Sequence, residues 1–147
     1  MTNDPVAFTF FNEIGIINQL VSTLFDKVLP ADMTRAQFTV LNHFVRLNIA
    51  ARSPAQLASA FQLTRPTMTS TLARMERHGL IKMVPDPADG RGKLVSLTDK
   101  GRTTRDACVA AMLPLAPLLN DVVDEAKLHA MLPDLVNLRM LLDTLRP

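Results

Sequence analysis

Apolar residues recur at steps of three and four along most of the chain, a spacing typical of amphipathic helices. The first such helix is predicted from Val6 to Leu29, and it is apolar on two faces rather than one. A helix with two apolar faces needs two partners, and in a chain of 147 residues we expect one of them to be a second subunit. Pro30 ends this helix because its ring cannot continue the hydrogen-bond ladder.

Three further helices are predicted from the residues that cap their N-termini. Thr34 opens the first of them, and Ser53 and Thr64 open the next two. A glutamine three residues after Thr34, and another three residues after Ser53, would complete capping boxes. The helix that follows Thr64 stops before Gly79, because glycine readily adopts a positive φ.

The helix after Thr64 has one apolar stripe and one polar face. Met68, Leu72 and Met75 form the stripe, at steps of four and three, and should be buried. Hydroxyl and guanidinium groups dominate the other face, which comprises Arg65, Thr67, Thr69, Ser70, Arg74 and Arg77. Hydroxyl groups donate to phosphates and bases, and arginine binds guanine through two hydrogen bonds. This face is therefore suited to the major groove of DNA.

A β-hairpin is predicted directly after this helix. Its strands run from Leu80 to Val84 and from Lys93 to Leu97, and a loop from Pro85 to Gly92 joins them. The loop is rich in Pro, Asp and Gly, which favour turns. Arg91, near the tip, has the chemistry to enter a narrow minor groove, where negative potential is concentrated. The alternative is a surface hairpin in which Arg91 pairs with Asp89.

Prolines divide the last third of the chain. Thr98 should cap a helix, and Pro114 and Pro117 should end or kink it. A final leucine-rich helix is predicted from about Asp124 to Leu145, with a break or bend at Pro133. Together with the first helix, these segments predict an apolar bundle made from the two ends of the chain.

Basic residues are concentrated on the central segment. From Arg52 to Arg105 there are ten Lys and Arg against four Asp and Glu, a net charge of +6. The remainder holds six basic and ten acidic residues, a net charge of −4. The uneven distribution fits neutralisation of phosphates by the segment that holds the helix pair and the hairpin.

Other classes of protein lack support in the sequence. One cysteine, Cys108, excludes an internal disulfide and fits a reducing compartment. No basic segment precedes an apolar one at the N-terminus, and the longest uncharged apolar run, from Ala107 to Leu119, falls short of the roughly 20 residues of a membrane span. We expect a cytoplasmic protein that does not enter the membrane.

Neither an enzyme nor a metal protein is expected. There is no Gly-rich phosphate loop, nucleophile elbow or HExxH motif. The three histidines, His43, His78 and His129, share no metal-ligand spacing. No cofactor is predicted.

The order of these elements resembles the MarR family of bacterial transcription regulators. Three motifs carry the resemblance: Met33-Thr34 to Leu41, Leu57-Ala58 to Leu80 with its Glu76-Arg77-His78-Gly79-Leu80 ending, and Asp89-Gly90-Arg91 followed by Val95-Ser96-Leu97-Thr98 and Gly101. The chain departs from the common pattern at Pro66, Pro114, Pro117 and Pro133.

The resemblance implies a mainly α (α+β) fold, a winged helix-turn-helix whose N- and C-terminal helices form a dimerisation bundle. Residues 33–99 would then bind DNA, and residues 1–32 with 100–147 would form the dimer. It further implies a homodimer on a pseudo-palindromic operator of double-stranded DNA. The commoner case in the family is a repressor whose repression is relieved by a small ligand, often anionic and aromatic. The ligand binds between the dimerisation helices and the DNA-binding region, residues 33–99, which is called the reading unit below.

Two sets of contact residues are predicted. Those for DNA are Thr64, Arg65, Thr67, Thr69, Ser70, Arg74, Arg91 and Lys93, of which Thr64 is expected mainly to cap its helix. Those for a ligand are Asn12, Phe38, Asn42, His43 and Arg46, since a carboxylate needs a cation or donors among apolar walls. Two alternatives stay open: a winged-helix redox sensor acting through Cys108, and a winged helix that contacts proteins instead of DNA.

Overall fold

A computed structural model of the chain describes residues 3–147, which are mainly helical and carry one two-stranded antiparallel sheet. The elements are α1 (Val6–Val28), α2 (Arg35–Leu47), α3 (Pro54–Ala60), α4 (Arg65–Arg77), β1 (Ile81–Asp86), β2 (Asp89–Leu97), α5 (Asp99–Met112) and α6 (Glu125–Thr144). A 3-10 helix, Leu113–Leu119, lies between α5 and α6. The chain divides into two compact units after Met112.

The predicted caps of α2 and α3 are confirmed. The Thr34 hydroxyl accepts from the Gln37 backbone N–H at 3.2 Å, and the Gln37 side chain accepts from the Thr34 N–H at 3.2 Å. Ser53 and Gln56 make the same reciprocal pair, at 3.1 and 2.9 Å. Each box satisfies two donors that an α-helix leaves free at its start.

The core of the first unit lies beneath α4. The predicted stripe of Met68, Leu72 and Met75 is confirmed, since each is at most 1% exposed. It packs in one cluster with residues from α2, α3 and the sheet, comprising Val40, Leu41, Phe44, Leu57, Ala58, Leu80, Ile81 and Val95. The opposite face of α4 is thereby held towards solvent.

The hairpin is longer and its turn tighter than the sequence predicts. Pairing runs from Ile81 opposite Leu97 to Asp86 opposite Asp89, so the predicted eight-residue loop is wrong. Only Pro87 and Ala88 remain between the strands. The Asp86 carboxylate accepts the Ala88 N–H at 2.9 Å, an Asx-type bond that tightens the turn.

The hairpin is irregular just beyond this turn. The register shifts between Pro85, which pairs with Lys93, and Asp86, which pairs with Asp89. The β2 strand therefore carries extra residues there, as in a bulge, and Arg91 is one of them. Bulges commonly redirect a side chain.

The C-terminal end of α4 is fastened to the start of α5. Gly79 has φ +71°, as predicted for the residue that ends the helix. Its carbonyl accepts from the Thr98 hydroxyl at 2.6 Å, and the His78 carbonyl accepts from Lys100 Nζ at 2.8 Å. The Leu80 carbonyl accepts from the Thr98 backbone N–H at 3.1 Å. Three successive carbonyls at and just after the C-cap of α4 are thus satisfied by one short segment.

The helix before Pro114 ends where the prolines predict, and the second unit begins there. The α5 helix ends at Met112, and Pro114 and Pro117 fall in the 3-10 segment. Asp124 caps α6, its side chain accepting from the Lys127 N–H at 2.9 Å. Of the break or bend predicted at Pro133, the break is wrong, because α6 runs through Pro133 as one helix, and the bend stays a prediction. A proline removes only one backbone donor, and the flanking turns keep their own bonds.

Large apolar side chains are left exposed on both α1 and α6. In α1 only Phe25 is buried, against Phe38 at a ring-centroid distance of 4.8 Å, and α6 buries no residue at all. The exposed set on α1 includes Phe8, Phe10, Phe11, Ile16, Ile17, Leu20, Val21 and Leu24; that on α6 includes Leu128, Met131, Leu132, Leu135, Val136, Met140, Leu141 and Leu142. Soluble monomers rarely expose apolar surface on this scale.

Candidate nucleic-acid interface

The N-terminus of α4 is organised by Thr64. Its hydroxyl accepts from the Thr67 backbone N–H at 3.3 Å and lies 2.8 Å from the Thr67 hydroxyl. Pro66 falls within this first turn, where its missing N–H leaves no bond unmade. Thr64 therefore caps α4, as expected, and Thr67 is hydrogen-bonded to it.

The other predicted DNA contacts on α4 have exposed side chains without bonding partners among the described residues. Arg65, Thr69, Ser70 and Arg74 all point away from the core. Within residues 3–147, their side chains make no hydrogen bond and no ion pair. Hydroxyl and guanidinium groups left in this state are available to an external acceptor.

A groove of about 820 Å³ separates α4 from the hairpin. Four of the predicted DNA contacts, Arg65, Thr69, Arg91 and Lys93, line it together. The sequence did not point to the other lining residues, Ser53, Pro54, Ala55, Leu72, Ala73, Met83, Asp86, Asp89 and Gly92. The start of α3 joins the groove through tertiary packing, for which no local sequence signal exists. Thr67, Ser70 and Arg74 are on α4 but outside this groove.

Arg91 does not form the ion pair with Asp89 that the alternative interpretation of the hairpin requires. The Asp89 carboxylate instead accepts the backbone N–H of Arg91 at 3.1 Å. Across the described part of the chain, no acidic side chain pairs with the Arg91 guanidinium, which is exposed. The carboxylate shapes the bulge and leaves the cation free.

The five predicted ligand contacts, whose role stays a prediction, have different surroundings. Asn42 Oδ1 accepts from Arg105 Nε at 3.2 Å and from Arg105 Nη2 at 3.0 Å, across α2 and α5. Phe38 packs on Phe25, and Asn12 lies exposed on α1. None of the five predicted residues lines the groove or a second cavity of about 490 Å³. That second cavity is lined by Pro30, Ala31, Asp32, Met33, Arg77, His78, Leu80, Lys100 and Thr104.

His43, one of those five, is a packing residue in the first unit. Its ring lies edge-to-face on Phe61 at a centroid distance of 5.0 Å. Burial lowers the pKa of His43, and the positive charges of Arg46 and Arg52 lower it further. The neutral form of the imidazole is thereby favoured, which suits an apolar contact.

Cys108 is fully buried on α5. Its burial raises the pKa of the thiol, so the reactive thiolate is disfavoured. Among residues 3–147 there is no group of three or more His, Cys, Asp and Glu side chains placed to hold a metal ion. The same residues include no helix with the length and apolar character needed to cross a bilayer.

Comparison with known proteins places this geometry in a family. A profile of the MarR family matches residues 31–92. The transcriptional regulator HosA of Escherichia coli O111:H- is 30% identical over 115 residues, 78% of this chain and 77% of HosA. The transcriptional activatory protein BadR of Rhodopseudomonas palustris is 34% identical over 94 residues, 63% of this chain. The chain spans about half of BadR, 54% of its length.

The fold is also that of a solved member bound to DNA. A cysteine-to-serine mutant of MarR from Escherichia coli, in complex with operator DNA, matches with a TM-score of 0.68 and 26% identity. The match covers 95% of this chain and 94% of that one. These relatives are transcription regulators, not enzymes. The winged helix-turn-helix, the family profile and the long match to HosA agree: this chain belongs to the MarR family.

Proposed function

We propose that this protein is a sequence-specific regulator of transcription that binds double-stranded DNA as a homodimer in the cytoplasm. The observation that carries the proposal is the uncommitted hydroxyl and arginine face of α4, standing across a groove from the free cation of Arg91. In this proposal α4 enters the major groove and the hairpin, or wing, reaches the flanking minor groove. The relative solved with operator DNA supports the assignment by analogy.

The homodimer is supported by the exposed apolar surfaces of α1 and α6. Apolar side chains in such numbers favour burial against a partner, at roughly 25 cal/mol per Å² removed from water. A second copy of the same chain supplies matching apolar surface through two-fold symmetry. A two-fold dimer presents two α4 helices, which must lie roughly 34 Å apart to meet one face of a pseudo-palindromic operator.

We propose that the protein represses and that a small anionic, aromatic ligand relieves repression. A ligand entering at the predicted residues of α2 would compete with Arg105 for Asn42, the contact that ties α2 to α5. Loosening this tie would alter the orientation of the reading unit on its supporting helix. The relative BadR is named an activatory protein, so activation is the outcome to test against. A reporter fused to the regulated promoter shows whether this protein represses or activates transcription.

A gel-shift with the DNA upstream of the protein's own gene tests the central proposal. We expect sequence-dependent binding with Kd of about 10⁻⁸ M or tighter, weakening steeply as salt rises. The absence of sequence-dependent, salt-sensitive binding would instead support the alternative in which the winged helix contacts proteins.

Arg91→Ala is expected to weaken operator binding at least about tenfold, because a charge-assisted contact in each of two wings is lost. The slope of log K against log salt should fall by about 2 for the dimer, one released counterion per lost phosphate contact. Arg35→Ala is the matched control, since Arg35 is an exposed arginine already paired with Asp26. An unchanged slope in Arg91→Ala would remove the wing from the interface.

The redox alternative predicts a reactive Cys108, whereas its burial predicts an inert one. We expect the folded protein to react with a thiol-specific disulfide reagent at least about 100-fold more slowly than the denatured chain. Cys108→Ala should leave the response of DNA binding to peroxide unchanged. A fast reaction in the folded state, with loss of DNA binding that Cys108→Ala abolishes, would favour the sensor.

A further inference from the structure

The outer edge of β1 exposes a backbone donor at Met83. Val95, which pairs with Met83 across the hairpin, exchanges two backbone hydrogen bonds with Arg52 on the far side of β2, at 3.0 and 2.8 Å. In an antiparallel ladder, a residue whose backbone groups bond to one side leaves a non-hydrogen-bonded pair on the other. The N–H of Met83 must therefore point away from β2, towards the edge of the sheet.

Glu76 fills this edge position from the last turn of α4. Its Oε2 accepts the Met83 N–H at 3.0 Å. The bond joins the helix that carries the reading face to the strand that leads into the wing, independently of the chain segment between them. A charged carboxylate acceptor makes such a bond stronger than one between neutral groups.

We propose that Glu76 is a positioning residue for DNA binding, fixing the wing against α4 so that Arg91 and Lys93 reach the backbone while α4 occupies the major groove. This inference rests on the proposed function. Met83 also lines the groove between α4 and the wing, so its hydrogen bond with Glu76, here called the tether, holds one wall of that groove. A small displacement of the wing would weaken DNA binding, because the Arg91 guanidinium would no longer contact its phosphate.

Electrostatics alone predicts the opposite behaviour. Glu76 is an exposed negative charge on the basic reading unit, so its removal should strengthen attraction to phosphates. The positioning role predicts weaker binding when the acceptor is lost. The sign of the change therefore separates the two accounts.

The test compares Glu76→Ala, which removes the acceptor, with Glu76→Gln, which keeps an oxygen acceptor but loses the charge. Binding to operator DNA is measured across a salt titration, with hydroxyl-radical footprints of each complex. Hydrogen exchange of the Met83 amide is measured without DNA. We expect Glu76→Ala to bind about tenfold more weakly, to lose wing protection while keeping protection from α4, and to lower the salt slope by about 2 to 4. Glu76→Gln should bind at least as tightly as the wild type.

The Met83 amide should exchange faster in Glu76→Ala than in the wild type or Glu76→Gln. If Glu76→Ala fails to fold, Glu76→Asp takes its place, because its carboxylate is one methylene too short to reach the same N–H. A salt slope and footprint of Glu76→Ala that match those of the wild type would overturn the proposal. So would a loss of affinity in Glu76→Gln equal to that in Glu76→Ala. Failure of the wild type itself to bind DNA would instead reject the proposed function, and the exchange data would still report on the tether.

Discussion

Gly101→Ala is expected to lower the melting temperature by about 10 °C, equivalent to about 3 kcal/mol of unfolding free energy in a protein of this size. A methyl group on Gly101 would overlap the backbone carbonyl oxygen of Leu80, with the Leu41 side chain also adjacent. Backbone cannot rotate out of the way as a flexible side chain can, so α5 itself must shift. Thermal unfolding followed by circular dichroism measures the change.

The effect should be large because of what meets at this point. The Thr98 hydroxyl accepts the Gly101 N–H at 3.0 Å and donates to the Gly79 carbonyl at 2.6 Å. Moving α5 outward would strain both bonds and with them the joint to the end of α4. We therefore expect Gly101→Ala to weaken operator binding as well.

Gly90→Ala is the matched control for this substitution. A methyl group on Gly90 would meet nothing within 4 Å, so its unfolding free energy should change by no more than about 0.5 kcal/mol. Equal melting temperatures for Gly101→Ala and the wild type would show that the close approach of α5 to Leu80 is not a feature of the folded protein.

Ser70→Glu is expected to reduce operator affinity at least about 100-fold while leaving the fold intact. Ser70 is exposed on α4, so a glutamate there should not disturb the core, and glutamate favours helix as well as serine does. In the major groove, however, its carboxylate would face acceptor atoms and phosphates, and each like-charge approach costs several kcal/mol. Fluorescence anisotropy with labelled operator measures the affinity.

Thr39→Glu controls for the added charge. Thr39 is an exposed hydroxyl residue on α2 and bonds only to the Arg35 carbonyl of its own helix, at 2.8 Å. Its replacement should weaken binding only a few-fold, through the change in net charge. Comparable losses of operator affinity for Ser70→Glu and Thr39→Glu would mean that α4 does not enter the major groove.

Local sequence signals predicted most of the fold because the interactions behind them are local. The capping boxes at Thr34 and Ser53 span three residues, and the buried stripe of α4 follows from helical periodicity alone. The positive φ of Gly79 follows from the preference of glycine at a helix end. Each of these features is decided by neighbours in the chain.

The features that the sequence did not predict depend on distant partners or on geometry within a turn. The wing is tighter than expected because Asp86 and Asp89 bond to backbone N–H groups two residues on. The tether from Glu76 depends on which way the Met83 N–H points, and that direction is set by the pairing of Val95 with Arg52. No periodicity in the sequence encodes such a relation.

The surroundings of the predicted ligand contacts depend on distant partners for the same reason. Asn42 looked available from its place on α2, but Arg105, which lies 63 residues further along the chain, donates two hydrogen bonds to it. His43 looked polar, but it packs on Phe61. Which polar groups remain free is a property of the assembled helices.

In the proposed function, two copies of α4 and of the wing bind one face of the DNA together. A hydroxyl-radical footprint of the wild-type protein on the DNA upstream of its own gene tests it most directly. The proposed function predicts two sets of protected backbone positions centred about one helical turn apart on one face of the DNA, each flanked by protection where a wing enters the minor groove. A single protected segment, or uniform protection without helical phase, would contradict it.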